Sequence, residues 1–177
     1  MNERKIRTGR LEIIPFDRAH ITDKYINWLN DPEVVKFSSQ RFRIHTKKTC
    51  EEYLETYNNT SNYFWAIIDK ANNYGHIGNI NAYIDINQNT ADLGIIIGEK
   101  KVWGKGFGLE AWEVICEFLF NEKSIRKITA GTLSCNKGML KIAEKSGMKK
   151  EGRRLKQEIV RGEEVDVVYF GLFNSNL

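Results

Sequence analysis

Apolar residues recur at helical spacing in four parts of this chain. In the first part, Ile21, Tyr25, Ile26, Trp28 and Leu29 follow Asp17, and the run Asn30-Asp31-Pro32 is expected to end the helix. The other three helices are predicted from a cap at Thr46 or Thr49 to Asn58-Asn59, from about Leu109 to Asn121, and from Lys137 to Ser146.

Runs of β-branched and aromatic residues predict strands between and after these helices. They lie at 10–16, 63–69, 76–86, 91–98 and 127–133, and two final strands flank the turn Arg161-Gly162. Turn clusters at 70–75 and 87–90 indicate that the middle strands form an antiparallel meander. No composition break divides the chain, so the pattern predicts a single mixed α+β domain over residues 1–177.

Composition and charge exclude several classes of function. A net charge of +4 is mild for a nucleic-acid binder, so we expect no nucleic-acid partner. No apolar run approaches membrane-spanning length and no apolar leader follows the N-terminus, which favours a cytoplasmic protein with no membrane partner. The three cysteines are widely spaced and the three histidines lack metal-ligand spacing, so no metal site is expected.

The run Trp103-Gly-Lys-Gly-Phe-Gly108 joins a predicted strand to a predicted helix. Alternating glycines at such a junction bring backbone N–H groups onto a phosphate at the helix N-terminus. A nucleotide loop of the Walker type requires Ser or Thr after Lys105, where Gly106 stands. A dinucleotide fingerprint requires Gly at Leu109, so both of these interpretations are disfavoured.

The order of elements around this loop resembles the GNAT superfamily of acyl-CoA-dependent N-acetyltransferases. The strand, glycine loop, helix, next strand, Asn136 and Glu144-Lys-Ser-Gly-Met148 carry the resemblance across essentially the whole chain. The chain is most similar to the Rim-type branch, the ribosomal-protein N-terminal acetyltransferases and their relatives. That similarity rests on Thr8-Gly-Arg-Leu-Glu-Ile13, Trp28-Leu-Asn-Asp-Pro-Glu-Val34 and Gly108-Leu-Glu-Ala111.

The resemblance implies a central, mostly antiparallel sheet of seven strands, flanked by four helices and splayed where acetyl-CoA binds. The coenzyme is then a co-substrate whose pyrophosphate is held by the amides of Lys105, Gly106, Phe107, Gly108 and Leu109. Family members commonly place Arg or Gln at Trp103, which we expect to alter packing rather than abolish binding.

The resemblance also implies that residues 91–98 and 127–133 border the gap that receives the pantetheine arm. Ile95, Ile96 and Ile97 would offer amides and carbonyls to that arm, and Asn136 would bind its amides. Gly94 is a candidate bulge residue, because glycine inside a strand pattern often marks a bulge.

Acetyl transfer to an amine needs a base for the amine and a proton for the departing thiolate. Asp92 is the candidate base, at a position where similar Rim-type sequences often carry Glu. The family's usual acids are absent, since Ala143 and Met139 occupy their positions. Cys135, Ser134 or water could supply the proton instead.

The resemblance implies an acceptor site built from the first two helices, their connection and the middle strands. Candidate residues are Trp28, Phe37, Arg41, Trp65, Asn81 and Tyr83. Arg41 and Arg43 suit a phosphate or carboxylate on the acceptor, whereas Asp31, Glu33 or Asp85 would suit a polyamine or aminoglycoside. The sequence leaves both acceptor types open, and with them a non-catalytic acyl-CoA-binding module and assembly as a homodimer.

Overall fold

A single mixed sheet of eight strands forms the centre of the protein. The computed structural model describes residues 5–175. The strands run in the spatial order β1-β2-β3-β4-β5-β6-β8-β7. Their bounds are β1 (Ile6–Arg7), β2 (Leu11–Pro15), β3 (Tyr63–Asp69), β4 (Gly75–Asp85), β5 (Thr90–Ile97), β6 (Lys127–Leu133), β7 (Lys149–Val160) and β8 (Glu163–Phe173).

Five α-helices cover the two faces of this sheet. They are α1 (Asp23–Asn30), α2 (Pro32–Val35), α3 (Lys47–Glu55), α4 (Phe107–Asn121) and α5 (Lys137–Lys145). Among the described strands, only β5 and β6 pair in parallel, and α4 makes the crossover between them. The predicted α+β class is confirmed.

Residues 5–175 form one strand and one α-helix more than the seven strands and four helices that the resemblance implied. The extra strand is β1, whose two residues pair with β2 and have no apolar alternation to predict them. The extra helix is α2, because Pro32 occupies the first turn of a new helix rather than only ending α1. The Asp31 side chain caps α2 by accepting a hydrogen bond from the Glu33 amide at 2.9 Å.

Two hydrophobic clusters lie on opposite faces of the sheet. The larger one surrounds α4, where Trp112 and Ile115 are completely buried. The smaller one lies beneath α1 and α3 and is built on Phe16, Tyr25 and Trp28. Successive side chains of a strand point to opposite faces, so β5 sends Leu93 to the first cluster and Ile96 to the second.

Within residues 5–175, every helix is too short or too polar to span a bilayer.

Candidate active site

The sheet opens between its only two parallel strands. β5 and β6 pair over three residues each, Thr90–Asp92 with Lys127–Thr129. Beyond that point β5 continues against β4 alone and β6 against β8 alone. The edges of residues 93–97 and 130–133 therefore border a gap, as the resemblance implied.

Gly94 does not form the predicted bulge. The pairing of β5 with β4 continues in register through Gly94 and Asn81. A Cβ at Gly94 would lie 2.8 Å from Asn81 Oδ1, so glycine is needed here to accommodate the neighbouring side chain. The opening instead begins where the parallel pairing with β6 stops.

Asp92 lies at the closed end of this gap. Thr129 Oγ1 donates a hydrogen bond to Asp92 Oδ1 at 2.6 Å across the last paired position. The side chain of Asp92 still reaches solvent. Desolvation by the surrounding protein raises the pKa of this carboxyl above its usual value, and the bond from Thr129 opposes that shift. A carboxylate with a raised pKa is a stronger base than an ordinary aspartate.

The glycine loop places the N-terminus of α4 beyond the end of β5. Gly106 is the N-cap, with φ of 84°, and no side chain caps the helix. Among the described residues, no acceptor lies within hydrogen-bond range of the amides of Gly106, Phe107, Gly108 and Leu109. These free amides give the start of α4 the partial positive charge that attracts a phosphate.

One amide expected in this set is already used. The Lys105 N–H donates to the Val102 carbonyl at 3.2 Å, so only the Lys105 side chain remains for an anion. Gly108 has a packing role as well, since a Cβ there would lie 3.2 Å from Ile142 Cδ1 and 3.5 Å from Ile97 Cγ1. The third glycine therefore lets α4 approach β5 and α5 closely.

Trp103 joins the loop to the free end of β5. Its indole Nε1–H donates to the Ile97 carbonyl at 2.8 Å, and two-fifths of the residue is exposed. One of the carbonyls expected to meet the pantetheine arm is therefore occupied by the protein itself. Trp103 thereby fixes the end of the strand relative to the anion loop.

Arg10 is a neighbour of the loop that sequence reasoning missed. Its Nη1 donates to the Lys105 carbonyl at 3.1 Å, and its guanidinium lies 4.2 Å from the Phe107 ring centroid. Its Nε donates to Glu110 Oε2 at 2.6 Å, and Thr8 also bonds Glu110. The motif at 8–13 supplied these residues, but their partner lies a hundred residues away in sequence.

The residues expected near the leaving group are partly engaged with the protein. Asn136 caps α5 by accepting from the Met139 amide at 3.2 Å and donates to Thr132 Oγ1 at 3.1 Å. Ser134 Oγ accepts from the Asp166 amide at 3.2 Å. Cys135 is a half-buried free thiol.

The predicted acceptor residues divide between the two faces of the sheet. Trp65 is 3% exposed and stacks on Tyr63 beneath α4, so it lies on the face opposite Asp92. Trp28 lies on the Asp92 face, covering Gly98 so closely that a Cβ there would be 2.0 Å from its ring. Trp65 therefore belongs to the hydrophobic core beneath α4 rather than to the face that carries Asp92.

Asn81 and Tyr83 extend along β4 on the same face as Asp92. Tyr83 is directly opposite Asp92 in the β4–β5 register. Its hydroxyl lies 2.9 Å from that of Tyr53 and 3.2 Å from that of Tyr57. This hydroxyl cluster forms a polar wall beside Asp92 on the α3 side.

Arg41 and Phe37 lie on the segment that connects α2 with α3. Arg41 Nη2 donates to Glu158 Oε2 of β7 at 3.0 Å, and its Nη1 donates to the Ser38 carbonyl at 2.8 Å. Phe37 is half-buried, with the Lys36 ammonium 5.0 Å from its ring centroid. Among residues 5–175, no hydrogen bond, ion pair or ring contact joins either residue to Tyr83 or Asp92. No group of His, Cys, Asp and Glu within residues 5–175 is arranged to hold a metal ion.

The sheet divides between β5 and β6, and the uncapped N-terminus of α4 follows β5. These two features define the class of this protein, an N-acetyltransferase fold. The model of the acetyltransferase (GNAT) domain family matches residues 10–149. The chain therefore belongs to the GNAT acetyltransferases, enzymes that use acetyl-CoA as the acetyl donor.

A sequence relative is consistent with membership of this family. The chain is 29% identical over 118 residues to the probable N-acetyltransferase YjcK of Bacillus subtilis (strain 168). That match covers 66% of this chain and 64% of YjcK, so the chain spans just under two thirds of this relative.

Solved structures share the fold at low sequence identity. The ribosomal-protein-S5-alanine acetyltransferase of Vibrio fischeri superposes with a TM-score of 0.82 at 17% identity, covering 98% of each chain. The spermidine N-acetyltransferase of Vibrio cholerae, solved with CoA and spermine, superposes with a TM-score of 0.82 at 18% identity. That superposition covers 95% of this chain and 98% of the other.

Proposed function

We propose that this chain transfers the acetyl group of acetyl-CoA to a primary amine, by direct attack within a ternary complex. The observation that carries the proposal is the position of Asp92 where β5 and β6 part, with the free amides of α4 beyond the other end of β5. A donor lying along β5 would then have its phosphates at α4 and its thioester toward the carboxylate.

Backbone groups are proposed to hold the donor. The amides of Gly106 to Leu109 would bind the pyrophosphate, with the Lys105 ammonium adding attraction. Residues 95–97 pair with β4 along one edge and leave the other edge free for the pantetheine arm. Trp103 would hold this strand end in place, and the second Nδ2 hydrogen of Asn136 would remain for an amide of the arm.

Asp92 is proposed to take a proton from the amine. An alkylamine has a pKa near 10.4, so generating its neutral form at pH 7 costs roughly 4 kcal/mol. An N-terminal α-amine, with a pKa near 8, makes a smaller demand. The raised pKa of Asp92 strengthens it as a base, and because aspartate is short, a water between the two groups would carry the proton.

The thiolate of coenzyme A is proposed to take its proton from water or from Cys135. Ser134 is a weaker candidate, because its hydroxyl already accepts from the Asp166 amide, although its own hydrogen is free. A thiol pKa near 8.5 makes thiolate an adequate leaving group without strong acid catalysis.

The proposed acceptors are a protein N-terminal α-amine or a small-molecule amine such as an amino sugar, a polyamine or an aminoglycoside. The structural neighbours include an acetyltransferase of a ribosomal protein and one of spermidine, which supports both kinds of acceptor. We propose that the chain belongs to the Rim-type branch, on the motifs at 8–13, 28–34 and 108–111.

The test is to incubate the protein with acetyl-CoA and a panel of these amines while following free thiol and the acetylated product by mass spectrometry. We expect thiol release that depends on both substrates. Tight binding of acetyl-CoA with no turnover on any acceptor would instead support a non-catalytic acyl-CoA-binding module.

A further inference from the structure

A cavity of about 420 Å³ opens between the α1–α2 corner, residues 40–44 and the tip of the β7–β8 hairpin. Its lining is Leu29, Asn30, Pro32, Val35, Lys36, Gln40, Arg41, Phe42, Arg43, Ile44, Ile159, Val160 and Arg161. This volume suits a small ligand or the first residues of a peptide.

The cavity bridges the two halves of the parted sheet. One wall belongs to the α1–α2 segment, and Trp28 of α1 covers Gly98 just beyond the free end of β5. The opposite wall belongs to the hairpin whose strand β8 pairs with the free end of β6, at Leu133 and Val167. Ion pairs of Arg41 with Glu158 and of Glu33 with Arg161 join the two walls. The cavity therefore lies between segments attached to the two strands that border the gap, on the face of the sheet that carries Asp92.

The lining carries four cationic side chains and no carboxylate. Lys36 and Arg161 share Glu33, and Arg41 is bound to Glu158, so two carboxylates just outside the lining are already engaged. Arg43 is exposed, and no hydrogen bond or ion pair joins its guanidinium to another residue in 5–175. The cavity therefore has an excess of positive charge, with one guanidinium free to bind an anion.

The acids that would bind a polyamine are engaged elsewhere. Asp31 Oδ2 lies 2.5 Å from Lys100 Nζ, and the same carboxylate caps α2. Lys100 and the α2 amides lower the pKa of Asp31, and Lys36 and Arg161 lower that of Glu33. Asp85 accepts from the amides of Asn87 and Gln88 in the β4–β5 turn. None of the three lines the cavity, and each is already paired with a cation or with backbone amides.

Apolar side chains complete the lining between these cations. Leu29 and Val35 form its buried part, while Phe42, Ile44 and Ile159 are 71%, 85% and 63% exposed. Large apolar side chains with this exposure at a cavity rim are typical of surfaces that contact a ligand.

We propose that the acceptor is a primary amine that carries an anionic group on an apolar body, and that polyamines are excluded. This inference rests on the proposed function above. The anion binds Arg43 and the neighbouring guanidinium groups, and the apolar part contacts Phe42 and Ile159. The amine reaches Asp92 over the face of the sheet that carries Tyr83, which leaves the gap to the pantetheine arm. The same chemistry could come from an acidic peptide N-terminus or from a small amine bearing a phosphate or carboxylate.

The test compares amines that differ in charge. The peptide set is Ala-Phe-Glu, Ala-Phe-Gln and Ala-Phe-Arg, each amidated at its C-terminus, and the small-molecule set is an amino sugar with and without a phosphate, beside spermidine. Thiol release measures kcat/KM, and calorimetry on the coenzyme-saturated protein measures affinity. We expect at least a tenfold preference for the anionic member of one set, and that set identifies the source of the anion.

Arg43→Glu is expected to reduce this preference at least tenfold, whereas Lys149→Glu, the same charge change at the far end of β7, leaves it unchanged. Turnover of spermidine at or above the anionic amines would overturn the inference and leave the proposed function standing. If no amine is acetylated, calorimetry still tests the inference. Binding of an anionic amine from either set supports the inference if Arg43→Glu weakens that binding. The absence of such binding rejects it.

Discussion

Thr129 donates a 2.6 Å hydrogen bond to Asp92 at the last position where β5 and β6 remain paired. The bond joins the two strands at the point where the sheet parts and orients the Asp92 carboxylate. It also favours the charged form of Asp92, against the desolvation that raises its pKa. One hydrogen bond therefore affects both the geometry and the basicity of the proposed catalytic group.

The pH dependence of kcat/KM should report the ionisation of Asp92. The base works as carboxylate, so activity falls as the pH drops through a pKa above the usual aspartate value. Asp92→Asn should remove this acid limb, and Thr129→Val should move it to higher pH, because it deletes the bond that lowers the pKa. Profiles measured with saturating acetyl-CoA check both. Asp85→Asn, on the neighbouring strand, is the control, and an acid limb that survives Asp92→Asn rules out Asp92 as the base.

The Asp92 carboxylate should support activity but lower the stability of the folded protein at pH 7.5. Because its pKa is raised in the folded state, the folded protein holds a proton longer than the unfolded chain does as the pH rises. Stability contributed by this group is therefore lost as the pH rises through its folded pKa. Asp92→Asn should raise the melting temperature at pH 7.5 while lowering activity, as scanning calorimetry would detect. A drop in melting temperature at pH 7.5 would contradict this account.

Gly106→Trp should abolish coenzyme binding in a folded protein. The substituted side chain would occupy the space in front of the free amides of α4, where the pyrophosphate is proposed to lie. Gly162→Trp is the matched control, since Gly162 has a φ of 86° against 84° for Gly106 and open space around it. Calorimetric titration with coenzyme A should show at least a hundredfold weaker binding for the first variant only. Equal affinities would remove the loop from the donor site.

Gly98→Ala should destabilise the protein by about 2–3 kcal/mol through overpacking. A Cβ at this position would meet the Trp28 ring at 2.0 Å. The penalty should shrink in a Trp28→Leu background, where the smaller side chain leaves room. Urea unfolding of the four proteins measures this coupling, with Gly152→Ala, where nothing lies within 4 Å of the added atom, as the control. Equal penalties in both backgrounds would show that Trp28 is not the obstacle.

Acid should weaken the fold through His76. Burial, and secondarily the nearby His20, lower the pKa of His76 to about 4, while its ring lies 5.1 Å from that of Trp28. The unfolded chain protonates this histidine near pH 6.5, so its contribution is present above that pH and is lost between 6.5 and 4. We expect about 2–3 kcal/mol of stability to disappear between pH 7.5 and 4.5. His76→Gln should flatten that change in urea unfolding, and an unaltered slope would assign it to other groups.

Much of the architecture was predictable because turn residues bound the strands. The limits of β3 and β6 match the predicted ones, and the glycine loop joins β5 to α4 as expected. The face of Trp65 was not predictable, because β3 is covered on both sides and its apolar run carries no alternation. The capping role of Asn136 and the partnership of Arg10 with Glu110 depend on tertiary contacts that local pattern does not encode.

The two proposed substrate sites differ in what they are made of. Main-chain amides and strand edges dominate the donor side, and mutation changes them little as long as the glycines remain. Side chains on three surface segments, 29–36, 40–44 and 159–161, line the cavity on the acceptor side. Natural variation can therefore change the acceptor while the donor is kept. Exchanging these three segments between related chains should transfer substrate preference without disturbing use of the coenzyme.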